Sequence, residues 1–71
     1  MVNVKTLERW EFKKVGNVFD DDWQFKQDNI TIVWNTLKQF GVIIVDGEFS
    51  QFIFNFEQLD EIMEHEFPDI Y

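Results

Sequence analysis

A chain of 71 residues with no cysteine and a net charge of −8 allows one domain, 1–71, and excludes disulfides, thiolate metal sites and cysteine nucleophiles. Its apolar runs fall far short of the roughly 20 residues that span a bilayer, and its opening residues lack a signal-peptide stretch, so a cytoplasmic protein with no membrane association is expected. Fourteen acids against six bases repel phosphate backbones, so direct nucleic-acid binding is not expected either.

Nine Phe, three Trp and one Tyr make 18% of the chain. A core this small struggles to cover rings of about 150–250 Å² each. Some of them are expected to face a partner.

Residues 3–15 read two ways. Val4, Leu7, Glu11 and Val15 share a helical face only if a charge is admitted to it, whereas Trp10, Phe12 and Lys14 alternate with Glu11, Lys13 and Val15 as in a strand. The reading adopted is a short helix over 4–10 leading into an extended segment. Gly16-Asn17 then marks a turn. Between 18 and 28, Phe19, Trp23 and Phe25 flank Asp20-Asp21-Asp22, whose mutual repulsion favours a solvated loop pinned at its ends.

Asp28 or Asn29 is suited to cap a helix over 30–40, in which Ile30, Val33, Trp34, Leu37 and Phe40 form an apolar stripe. Lys38 suits its last turn and Gly41 its terminus. The competing reading takes the β-branched run Ile30-Thr31-Ile32-Val33 as a strand; the two end signals favour the helix. Residues 42–56 are two strands around Asp46-Gly47, the strongest hairpin signal in the chain. A second helix follows over 57–67, with Asn55 as cap, Phe56, Leu59, Ile62 or Met63, and Phe67 as its stripe, and Pro68 as its stop.

The fold class predicted is α+β: a small antiparallel sheet centred on the 42–56 hairpin, packed by helices at 30–40 and 57–67. Period-two alternation puts Phe52, Phe54 and Phe56 on one face, assigned to the core beneath the helices. Phe49, Gln51, Ile53 and Asn55 take the other face, where Phe49 and Ile53 offer a surface to a partner or a second copy. Trp10, Trp23 and Trp34 read as core or core-edge residues.

Charge is unevenly spread. Residues 1–19 hold four bases and two acids, a balance of +2, while residues 20–71 hold two bases and twelve acids, a balance of −10. The last helix carries Glu57, Asp60, Glu61, Glu64 and Glu66, with Asp69 after it and no Lys or Arg among them. The i, i+4 pairs Glu57–Glu61 and Asp60–Glu64 each cost a few tenths of a kcal/mol. A helix chosen only for stability mixes in lysines. The bland explanation is a solvated face that keeps a small protein in solution; the sharper one is an acidic ridge for a basic partner, extended by Asp20, Asp21, Asp22, Asp46 and Glu48 if the fold brings them to the same side.

Metal binding and catalysis are poorly supported. The three consecutive aspartates lack the spacing of an EF-hand loop, and His65 with Glu61 and Glu64 makes at most an adventitious site. Ser50 and Thr36 have no histidine nearby in sequence, and Asp60 with Glu64 lies on a face that makes no pocket. No enzyme, metal or cofactor is expected.

Thr36-Leu37-Lys38-Gln39-Phe40-Gly41 running into Val42-Ile43-Ile44-Val45-Asp46-Gly47-Glu48-Phe49 resembles the end of a recognition helix and the wing of a winged-helix domain. In that family the helix before the wing reads the major groove; here it offers Lys38 beside Thr31, Asn35 and Gln39. The resemblance implies a nucleic-acid-binding regulator, with Lys5, Arg9, Lys13 and Lys14 as its basic patch.

The leading expectation is a non-enzymatic, acidic protein-binding module that docks a basic surface of a nucleic-acid-processing protein, as an inhibitor or DNA mimic does. Its partner-binding residues are Glu57, Asp60, Glu61, Glu64, Asp20, Asp21, Asp22, Phe49 and Ile53. The winged-helix regulator is the alternative, and a homodimer built by exposed aromatics is the third reading.

Overall fold

A computed structural model describes residues 3–16 and 21–71. The order of elements is α1 (Val4–Arg9), β1 (Lys13–Lys14), β2 (Asp22–Gln27), β3 (Ile30–Asn35), β4 (Phe40–Val45), β5 (Glu48–Ile53) and α2 (Phe56–Glu66). The five strands form one antiparallel sheet in sequence order. The α+β class and the sheet around the 42–56 hairpin are therefore as read from the sequence. So is α2, whose cap Asn55 accepts from the Gln58 N–H at 2.8 Å.

The helix predicted over 30–40 is instead β3 and a turn. Ile30-Thr31-Ile32-Val33-Trp34 alternates inward Ile32 and Trp34 with outward Thr31 and Val33, and it pairs along its whole length with β2 and β4. A central strand satisfies its backbone on both sides, and its β-branched residues suit the pleat. Both supposed helix ends have other uses. Asp28-Asn29 is the two-residue turn between β2 and β3, with Asp28 at φ 55°, because short polar side chains that suit an N-cap also tolerate left-handed backbone. Gly41 lies inside β4.

The loop predicted over 18–28 is corrected in the same way. Residues 22–27 form β2, in which Trp23 and Phe25 point inward and alternate with Asp22, Gln24 and Lys26. Phe19, Asn17 and Asp20 lie outside the described residues.

One face of the sheet is covered by both helices. Across it, Trp23, Trp34, Gly41 and Ile53 stand opposite one another on β2, β3, β4 and β5, followed by Phe25, Ile32, Ile43 and Gln51. Leu7 and Trp10 of α1, Phe12, and Leu59, Met63 and Phe67 at α2 complete the core. Trp10 is stacked between Phe56 and Tyr71, at centroid distances of 5.6 and 5.8 Å.

The face assignment within β5 is reversed from the sequence reading. Ile53 is fully buried, while Phe52 and Phe54 are 45% and 65% exposed. Alternation was legible; which face met the helices was not, because three phenylalanines outweigh one isoleucine in any local count. A β-bulge also enters here. Ile43 pairs with Gln51 but Ile44 with Phe49, so Ser50 is the extra residue and Phe49 turns to the same face as Phe52.

The end of α1 contains a local misfit. The Phe12 N–H donates to the Leu7 carbonyl and the Glu11 N–H to the Glu8 carbonyl, the paired bonds of a Schellman ending, with Glu11 at φ 68°. That position favours glycine, which bears no Cβ penalty there. Glu11→Gly is expected to raise stability by about 0.5–1 kcal/mol. A higher urea midpoint with unchanged slope is the supporting result, and an unchanged or lower midpoint counts against this account of the helix end.

Candidate functional site

The uncovered face of the sheet changes character from one edge to the other. Following the register from β1 to β5, one row reads Lys13, Gln24, Val33, Val42, Phe52, and a second reads Lys26, Thr31, Ile44, Phe49. Charged and amide groups give way to aliphatic ones and then to phenylalanine. At the β5 end the rings form a ladder. Phe49 lies 4.7 Å from Phe52, and Phe40 lies 5.3 Å from Phe52 and 5.7 Å from Phe54. Phe49 is 58% exposed, so these rings shelter one another without being covered. Contiguous exposed aromatic area of this kind marks an interaction surface.

The two edges of the sheet differ as well. β1 is two residues long and both are lysine, a combination that discourages a further strand. β5 is six residues long, and its sequence Glu48-Phe49-Ser50-Gln51-Phe52-Ile53 bears one charge. Its bulge at Ser50 twists one part of the edge. At the other end the Gln58 carboxamide accepts from the Phe54 N–H at 2.9 Å and reaches the Phe52 carbonyl at 3.5 Å. A side chain of α2 thus stands where the backbone of a neighbouring strand would.

The predicted acidic residues divide among three places. Glu57, Glu61 and Glu64 are exposed on α2 at i, i+4 and i+7, one stripe facing away from the sheet. Asp60 is half-buried beside that stripe, where both of its carboxylate oxygens accept from the Tyr71 hydroxyl at 3.1 Å. Asp22 accepts from Asn35 Nδ2 at 2.8 Å on the uncovered face, opposite the side on which α2 packs. The Asp21 carbonyl accepts from the Thr36 N–H and hydroxyl. Asp46 accepts from Asn29 Nδ2 at 3.0 Å, which ties the β4–β5 turn to the β2–β3 turn.

The sheet therefore separates Asp22 from the α2 acids. Of the two apolar residues predicted for the surface, Phe49 is there and Ile53 is in the core. Phe52 and Phe54 belong to the exposed set and were missed, as was the half-buried Phe40 that packs against both.

A second face of α2 adjoins that stripe and shares Glu61 with it. Gln58, Glu61, Ile62, His65 and Glu66 recur at i, i+3, i+4, i+7 and i+8 and line an open hollow. Beside it a cleft of about 240 Å³ runs between the sheet and α2, with Ile30, Ile32, Ile43, Val45, Ile62 and Phe67 as walls and Ser50, Gln51 and Glu66 completing its lining. That volume is below the roughly 300–1,000 Å³ of small-molecule sites. A larger hollow of about 640 Å³ at the α1–β1 corner has Glu8, Glu11, Lys13 and Lys26 around Phe12 and Val15, charges of both signs with no preference for a ligand of either.

Tyr71 is the single tyrosine of the chain. Its hydrogen bond to Asp60, then its partial enclosure and the negative charges of Asp60 and Glu64, raise the phenol above the usual value near 10, against the opposing charge of Arg9. A phenol raised on folding stabilises the fold below its unfolded value of about 10. That contribution is lost as the pH rises through the folded value. Phenolate absorbance is expected to titrate above pH 10 in the wild type and lower in Asp60→Asn. Coincident titrations would contradict the contact.

The winged-helix resemblance does not survive this geometry, since its recognition helix would occupy residues that form β3 and the Thr36–Gln39 turn. Among the described residues no helix is long and apolar enough to cross a membrane. Comparison with protein-family models, with curated proteins and with solved structures gave no match.

Proposed function

We propose that this protein is a non-enzymatic binding module whose α2 surface docks a basic patch on a nucleic-acid-processing or regulatory protein, in the manner of an inhibitor that occupies a DNA-binding groove. The observation that carries this reading is the exposed stripe Glu57, Glu61 and Glu64 on a helix that contains no lysine or arginine. Like charges at this spacing cost the isolated helix stability. A complementary cationic surface turns the same arrangement into faster and more selective association. The phenylalanine ladder supports the reading from the other side of the sheet, because aromatic side chains supply most of the affinity at many interfaces while charge sets rate and choice of partner.

The test is capture of partners from the source cell at low and high salt, with the triple variant Glu57→Lys, Glu61→Lys, Glu64→Lys beside the wild type. Reversal of three surface charges is expected to weaken binding roughly 10- to 100-fold at low salt, and the difference is expected to shrink as salt screens the charges. The variant keeps its fold, since none of the three side chains is buried. A partner retained equally by both proteins at every salt concentration would refute the proposal.

A further inference from the structure

We infer that the free edge of β5 takes up an extended segment of the partner as a sixth strand, and that this segment alternates apolar with basic residues. The inference rests on the basic-partner reading above and adds the mode of attachment. Among the described residues β5 ends the sheet and one side of its backbone has no neighbouring strand, while the opposite edge is blunted by its shortness and its two lysines. The Gln58 carboxamide, bonded to the Phe54 N–H and reaching the Phe52 carbonyl, shows that these edge groups accept strand-like partners. An incoming strand replaces it.

The alternation follows from what lies on each side of the edge. Successive side chains of an added strand point to opposite faces of the sheet. Those on the uncovered face meet Phe49, Phe52 and Phe54, an apolar surface. Those on the helix face lie beside Ser50 and Gln51, at the β5 side of the cleft between the sheet and α2, whose walls are Ile30 of β3, Ile43 and Val45 of β4 and Ile62 of α2 and whose acid is Glu66, with Glu61 in the adjoining hollow. An aliphatic stem ending in a cation matches an apolar cleft flanked by carboxylates, which describes lysine and arginine. A second copy of this chain is a poorer occupant. Its own β5 carries Glu48 and no base, and pairing two edges would bring the Glu61 and Glu66 groups of two chains of net charge −8 toward one another.

The experiment is titration of the intact protein into a labelled acetyl-Lys-Val-Lys-Val-Lys-Val-amide, read by fluorescence anisotropy at low salt. Three further peptides are compared: the blocked isomer Lys-Lys-Lys-Val-Val-Val, the parent N-methylated on its valine amides, and the parent N-methylated on its lysine amides. Alternate residues of a strand present their amides to opposite lateral sides, so one N-methylated form loses its bonds to β5 and the other keeps them. The parent is expected to bind on the order of tenfold more tightly than the blocked isomer and than one N-methylated form, and equally with the other. Phe52→Ser and Glu66→Lys are each expected to weaken the parent severalfold.

Equal binding by all four peptides, falling with salt and with Glu61→Lys, would overturn the added strand and leave the basic-partner reading standing. No binding by any of them would overturn both. A protein that sediments as a dimer and becomes monomeric as Phe52→Lys would assign the edge to a second copy, and that too would overturn the inference.

Discussion

Gly41→Ala is expected to destabilise the protein by about 3 kcal/mol or more, beyond the usual range for a single added methyl group. The Cβ of alanine at this position would sit on the Val33 carbonyl oxygen and 2.9 Å from Cε3 of Trp34. Neither neighbour has room to give. Val33 belongs to the central strand, held by ladders on both sides, and the Trp34 ring is fully buried against Phe56, 5.9 Å away in a T-shaped arrangement. Relief requires the β3–β4 pairing to separate or the fully buried Trp34 indole to leave its place.

Against a total stability of roughly 4–11 kcal/mol for a chain of this length, such a loss removes about a quarter to three quarters of the total. Gly47→Ala is the control. Gly47 has φ 79° but nothing within 4 Å of an added Cβ, so its cost is conformational only, about 1 kcal/mol. Urea unfolding of both variants separates the two causes. A Gly41→Ala midpoint at or above that of Gly47→Ala would show that the β4 backbone is not pressed against β3.

Neighbouring residues of β5 supply the second large effect. Ile53→Ala is expected to cost about 2–5 kcal/mol, because a fully buried side chain opposite Gly41 is removed from a core too small to close the cavity. Phe52→Ala removes a larger side chain and is expected to cost less than about 1 kcal/mol, since that ring is nearly half exposed and its ring partners Phe40, Phe49 and Phe54 lie on the same uncovered face. The order is the opposite of what residue size predicts. Thermal or urea denaturation of the two variants decides it. If Phe52→Ala proves the more damaging, the buried face of β5 has been misassigned, and with it the exposed ladder.

These two residues also show where local reading stops. The hairpin, the turn at Asp46-Gly47 and the helix capped by Asn55 were all legible, because each depends on contacts within a few residues. Asp46 and Gly47 take φ 55° and 79°, both positive, as a type I′ hairpin turn requires. Helix and strand at 30–35 were not separable in that way. Ile30, Val33 and Trp34 satisfy a helical stripe, while Ile32 and Trp34 satisfy a strand, and the choice fell to the pairing partners on β2 and β4. The same holds for residues 22–27, where alternation around Trp23 and Phe25 was present in the pattern but masked by the aspartates before it.

The candidate surface divides along the same line. An excess of acid on the last helix is a count over neighbouring residues, and the exposed stripe of Glu57, Glu61 and Glu64 needs only helical geometry to follow from it. The phenylalanine ladder needs three long-range facts. β5 must be an edge strand, both helices must pack on the side of Ile53, and the bulge at Ser50 must turn Phe49 to join Phe52.

Composition and short-range pattern were thus sufficient for class, charge polarity, the hairpin and the acidic helix, since propensity, capping and turn preference act between residues close in the chain. Which face of the sheet is covered, and so which aromatics are core and which are offered to a partner, depended on Trp34 of β3 pairing with Gly41 of β4 and on α1 and α2 burying the same side. Those are encounters between distant segments, and they are selected by the burial of the whole core and not by any one stretch of it.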